Sequence, residues 1–181
     1  MPQGNSTSSF GEDMTKLTEC KHLSPLLEFD GNWIEFEKLL FSIFKHDFLE
    51  NNTYFKGCIV HPRKHPVIKG RPESFFHLTH ENSTLYKFND PSLPDFDRCK
   101  RLRWVKEILE HYGCQDRCCS GIKYYNKNGR DHLLFEEERY LVVLEKRGNS
   151  YLLITAFYCQ YDNALRKKLK DYNEYITKSA I

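Results

Sequence analysis

His77 stands in the segment Arg71-Pro-Glu-Ser-Phe-Phe-His77-Leu-Thr-His80, just after residues 56–71, which hold five basic residues and two histidines but no acid. Imidazole is the side chain best suited to moving protons near neutral pH, so His77 is a candidate general acid or base. A second basic run, residues 98–106, carries Arg98, Arg101 and Arg103 and abuts Trp104. Guanidinium forks match phosphate oxygens two at a time, and an indole offers a surface for stacking. A third basic run spans residues 166–170. If the three runs converge they make an electrostatic footprint for phosphates; if they stay apart, each is only a solvated face. His61 and His65, set among prolines and bases, suit a surface loop equally well.

A metal reading starts from Cys114-x3-Cys118-Cys119 with Cys99 and His111 upstream, which together offer four or five zinc ligands. The spacing contains no Cys-x2-Cys knuckle, and such cysteines also serve as small buried apolar residues. The sequence has no GxxxxGK[ST], GxGxxG, HExxH or nucleophile-elbow motif, so P-loop, Rossmann, zincin and hydrolase chemistries lack support. Neither a cofactor nor a metal is called for.

The elements that must position these residues follow from periodicity. Asn32 to Leu49 places Trp33, Phe36, Leu39, Leu40, Ile43, Phe44 and Phe48 at helical spacing behind cap residues Asp30-Gly31-Asn32. Its outer face is acidic. From Tyr54 the pattern turns β-leaning, broken by Pro62, Pro66 and Pro72, with Phe75 to Leu78 a short apolar piece and Asn82 to Pro94 a loop. Asp95 caps a second helix with Cys99, Leu102, Val105, Leu109 and Tyr112 on one stripe, stopped by Gly113. Asn126-Lys-Asn-Gly129 and Arg147-Gly-Asn-Ser150 are hairpin signals between β-type runs, and Leu165, Leu169 and Tyr172 mark a basic closing helix. The expected class is α+β: N-terminal helices, then a twisted antiparallel sheet, then a C-terminal helix.

Composition bounds the rest. Across 181 residues, 27 basic and 25 acidic side chains leave a net charge of +2, which by itself argues for no nucleic-acid partner. The longest apolar run is Tyr140 to Leu144, far short of a membrane span. A 14% aromatic content suits core packing and strands, with surface stacking as the alternative use. Residues 1–13 are expected to form a disordered lead without secretory character, residues 14–52 a helical elaboration, and residues 53–181 the main domain packed with it as one unit. Seven cysteines, an odd number, and no export signal point to reduced thiols in a cytoplasm.

Several of these pieces, taken in order, resemble the phage- and mobile-element-associated nucleases grouped with the barnase, EndoU, colicin and RelE ribonucleases. The resemblance rests on Arg71-Pro-Glu-Ser-Phe-Phe-His-Leu, Asp97-Arg-Cys-Lys-Arg-Leu-Arg-Trp104, Tyr140-Leu-Val-Val-Leu, Leu153-Ile-Thr-Ala-Phe-Tyr158 and the basic closing helix, and covers roughly residues 65–175. It implies metal-independent RNA cleavage, in which the ribose 2′-OH attacks its own phosphodiester and leaves a 2′,3′-cyclic phosphate. It further implies that His77 is the acid or base and that Arg98, Arg101 and Arg103 contact phosphate. Thr155 and Tyr158 would line the sheet face, hydrogen-bonding phosphate or stacking a base, with Glu136 or Arg139 as a further partner. RNA is the implied substrate, and an inhibitor or antitoxin protein the implied partner of a toxin-like member. The acidic first helix departs from the strongly basic character of such toxins and is expected to dock a partner or cover the site. Two other readings stand beside this one: a non-catalytic RNA- or protein-binding module using the same basic-aromatic surface, and a zinc-stabilised interaction domain.

Overall fold

A computed structural model describes residues 22–81, 93–114 and 121–180; the polar lead, most of the loop from Asn82 to Pro94, and Cys118 and Cys119 lie outside them. The first helix, α1 (Trp33–Lys45), begins where the Asn32 side chain accepts the Glu35 N–H at 3.3 Å. Phe36, Leu40 and Phe44, four residues apart, form its buried stripe. It then widens into one π-helical turn, His46–Glu50, which carries Phe48 into the core. Strands β1 (Thr53–Phe55) and β2 (Cys58–Pro62) follow as a hairpin whose turn residues, Lys56 and Gly57, both lie in the left-handed region at φ 49° and 74°. A two-stranded ribbon, β3 (Val67–Ile68) with β4 (Arg71–Pro72), leads into the short helix α2 (Glu73–Thr79).

Helix α3 (Phe96–Lys100) opens on Asp95, whose carboxylate accepts the Arg98 N–H at 3.1 Å. The sequence reads one helix from Asp95 to Gly113. The structure breaks it at Arg101, where φ −106° and ψ 13° leave helical geometry, and restarts it as α4 (Leu102–His111). The stripe of Cys99, Leu102, Val105 and Leu109 survives the break and is buried throughout.

The C-terminal part is a meander of β5 (Ile122–Lys127), β6 (Arg130–Phe135), β7 (Tyr140–Arg147) and β8 (Ser150–Tyr158), closed by α5 (Asp162–Ser179). Its order within the six-stranded sheet is β1-β2-β8-β7-β6-β5. The class is α+β as expected, but the sheet is mixed: β2 lies parallel to β8, pairing Val60–Pro62 with Tyr151–Leu153. The connection from β2 to β8 runs through the helices and strands β5–β7, long enough to return the chain parallel to β2.

Alternation along the central strands gives each sheet face its own core. Tyr140, Val142 and Leu144 meet Phe44, Phe75, Val105 and Ile108 on the helical side, so α1 shares the main core. Leu141, Val143, Leu134 and Tyr125 meet Leu165, Leu169 and Tyr172 of α5 on the other. Between Val143 and Leu144 the β7–β8 register shifts, leaving Ile154 as an extra residue in β8. This bulge turns Thr155 to the same face as Phe157, the α5 side. Among the described residues, no helix is long and apolar enough to cross a membrane.

Candidate active site around His77

Because β2 stops pairing at Leu153, the remaining edge of β8 is taken up by α2 and α3. This packing brings His77 to the sheet. On α2, Glu73 and His77 lie one turn apart, and His77 Nε2 sits 3.4 Å from Glu73 Oε1. The other oxygen of that carboxylate, Oε2, takes Arg63 Nη1 at 3.4 Å. Glu73 is largely buried, whereas the Arg63 side chain is 42% exposed and presents a guanidinium to solvent beside the imidazole.

The backbone of His77 is tethered from two directions. Arg98 Nη1 donates to the His77 carbonyl at 2.9 Å, and Thr155 Oγ1 donates to the same oxygen at 3.1 Å. Arg98 Nε meanwhile donates to Asp95 Oδ2 at 3.0 Å, and the side chain is only 8% exposed. A doubly anchored, buried arginine of this kind is an internal clamp. Arg98 and Thr155 therefore hold the histidine in place, which is a different task from the phosphate contacts assigned to them by resemblance.

Burial lowers the His77 pKa below 6.5, Glu73 raises it in partial opposition, and the positive charges of Arg63 and Arg98 lower it again. The result is an imidazole that is neutral around pH 7, with a carboxylate ready to hold the imidazolium if a proton arrives. That is the arrangement a general base requires.

The other expected residues fall into separate places. Arg101 Nη1 bonds Asp97 at 2.9 Å, and its guanidinium lies 4.0 Å from the Tyr158 ring centroid, beside Trp104. Tyr158 pairs with Tyr140, on the helical face of the sheet. Thr155 and Tyr158 thus emerge on opposite faces, a consequence of strand alternation over three residues. Arg103 lines a different cleft, between α1 and α4, with His46 and Lys106. Glu136 pairs with Lys123 at 2.8 Å, and Arg139 bonds Cys159 O and Asp162. His61 and His65 are exposed.

The three basic runs disperse in part. From the first, Arg71 stacks on Phe41 and Phe75, Lys56 lies 3.6 Å from the Tyr124 ring centroid, and Arg63 reaches the carboxylate shared with His77. Cys99 turns inward to bond Thr79 O at 3.1 Å, and burial pushes its thiol up to about 12. No group of three or more His, Cys, Asp or Glu side chains able to hold a metal forms among the described residues.

Sequence reasoning missed Glu73 and Arg63. The signal for Glu73 was present as a Glu-x3-His spacing, which places two side chains on one helix face, but Phe75 to Leu78 did not declare itself helical at only four residues. No family model, no curated protein and no solved structure matches this chain.

Proposed function

We propose that this chain is a metal-independent endoribonuclease with His77 as its general base. The observation that carries the reading is the neutral, carboxylate-paired imidazole of His77, held by its own backbone to the sheet and flanked by a solvent-facing guanidinium. His77 takes the proton of the ribose 2′-OH, and the 2′-oxygen forms a bond to the adjacent phosphorus. The bond from phosphorus to the 5′-oxygen breaks, that oxygen takes a proton from solvent, and a 2′,3′-cyclic phosphate remains. Glu73 stabilises the imidazolium, and Arg63 faces the charge that grows on the equatorial phosphate oxygens. Arg98 and Thr155 act through His77 as positioning residues.

The alternative, an RNA-binding module without catalysis, is favoured by one observation: Arg98 and Arg101 are committed to internal carboxylates, which leaves fewer guanidiniums for a transition state. The test is incubation of the purified chain with total RNA in excess EDTA, followed by end-group analysis. Products ending in 2′,3′-cyclic phosphate support the nuclease. Salt-sensitive RNA retention without cleavage supports the binding module.

A further inference from the structure

The third basic run meets cations the sequence did not connect with it. The β5–β6 hairpin and α5 frame a cavity of about 470 Å³ lined by Lys127, Arg130, Lys167 and Lys168, with His132 and Asp171. Four cations share it with one carboxylate, and that carboxylate is bridged to Lys127. Arg130 has Glu145 at 3.9 Å, while Lys167 and Lys168 pair with no carboxylate among the described residues. Of the lining residues, His132 stacks its ring on Tyr125, with centroids 4.6 Å apart and planes 11° from parallel. Such a basin holds a positive potential that a folded protein keeps at a cost unless an anion uses it.

This cavity lies on the α5 side of the sheet, the side to which the bulge turns Thr155 and Phe157. The half-buried Phe157 ring is the connection. Arg98 Cζ is 5.5 Å from its centroid and Lys168 Nζ is 5.7 Å from it, so the clamp behind His77 and the first cation of the cavity are no more than about 11 Å apart. Phe157 therefore stands between the anchor of the His77 backbone and the cations of the cavity, Lys168, Lys167, Arg130 and Lys127. A ring beside a group of unpaired lysines suits a single strand, with phosphates on the lysines and a base on the ring.

We propose that the Lys127–Arg130–Lys167–Lys168 cavity is a backbone-phosphate subsite for the single-stranded RNA whose scissile bond sits at His77, with Phe157 stacking a base between the two. This rests on the nuclease reading for the position of the cut, but the binding it predicts is measurable without any cleavage. The probe is a fluorescein-labelled 20-mer of 2′-O-methyl RNA, which lacks the attacking hydroxyl, titrated with the full chain by anisotropy at several salt concentrations.

Each phosphate of a single strand that the protein no longer neutralises flattens the slope of log K against log salt by about 0.7. Lys167→Gln/Lys168→Gln is therefore expected to flatten the slope by about 1.4 and to weaken binding roughly ten- to thirtyfold at 0.1 M salt. Lys167→Arg/Lys168→Arg keeps the slope of the parent, and Lys38→Gln/Lys45→Gln on the outer face of α1 changes neither quantity. Phe157→Leu lowers affinity roughly tenfold with the slope unchanged. Far-UV circular dichroism confirms that each variant is folded.

A slope in Lys167→Gln/Lys168→Gln equal to that of the parent overturns the proposal. So does the absence of RNA binding in the parent, including the case in which it instead binds phosphatidylserine vesicles or an acidic protein through the same lysines. If the flattened slope is found but the parent does not cleave unmodified RNA, the subsite stands and the catalytic reading falls.

Discussion

Acidification from pH 7 to pH 5 is expected to destabilise this fold through His80, the C-terminal cap of α2. The ring is 4% exposed and packs edge-on against Trp33 and Phe76. Its Nδ1 lies 2.8 Å from Thr79 Oγ1, and that hydroxyl donates its own proton to Phe75 O at 2.7 Å. Nδ1 must then be the donor, and a second proton would have to be held among aromatic rings. Burial, first, and the charges of Arg71, Lys69 and Arg98 bring the pKa down from 6.5 to about 4. Above pH 6.5 both folded and unfolded states are neutral at this position and nothing is lost. As the pH falls through 6.5 the unfolded chain binds a proton that the folded chain refuses until about pH 4. At pH 5 the difference amounts to about 2 kcal/mol, rising to about 3 kcal/mol below pH 4. Urea unfolding at the two pH values reads this as a fall in midpoint of roughly 1 M, taking a slope near 2 kcal/mol per M. His77 and His132 also have lowered values and add to the effect in the parent. The decisive comparison is therefore His80→Gln, which removes only this contribution and should lose about 2 kcal/mol less between pH 7 and pH 5. An unchanged pH dependence in His80→Gln would refute the reasoning.

Three further outcomes follow from the packing. Arg98→Met strips the His77 carbonyl of one donor and leaves Asp95 without its guanidinium, so it should cost about 2–3 kcal/mol in chemical unfolding and lower kcat by displacing His77. Arg103→Met, in the cleft between α1 and α4, should leave cleavage within about twofold of the parent. The Tyr140 hydroxyl is fully buried and has no hydrogen-bond partner among the described residues, so Tyr140→Phe should hold or raise stability, by up to about 1 kcal/mol, in thermal or urea unfolding.

Local signals carried most of the fold. The phenylalanine spacing of α1, the Asp95 cap and the Asn128-Gly129 turn are decided by residues within a few positions of one another, and each is where periodicity and turn chemistry put it. The parallel pairing of β2 with β8 joins residues about 90 positions apart, and no pattern within either strand announces it. The site divides the same way. Glu73 beside His77 is a helical spacing and was open to reading, whereas the convergence of Arg98 and Thr155 on one carbonyl depends on α2 filling the edge that β2 vacates. Arginine count could not separate a clamp from a phosphate ligand, because Asp95 and Asp97 lie within the same short stretch and claim two of the three guanidiniums. Nor could it place Lys167 and Lys168 opposite Lys127 and Arg130, since that meeting is made by the path of α5 across the sheet.

The central claim is that His77 moves the proton, and the pH dependence of RNA cleavage under kcat/KM conditions in EDTA tests it most directly. The parent should show an acid limb with its midpoint below 6.5, because burial lowers His77. Glu73→Gln should move that limb to still lower pH, since Glu73 is the group that raises the value, and should reduce the plateau rate. His77→Ala, verified as folded, should lose roughly 10²–10⁴-fold and show no such limb. Cleavage by His77→Ala at the parental rate, or a parental limb that Glu73→Gln does not move, would contradict the account.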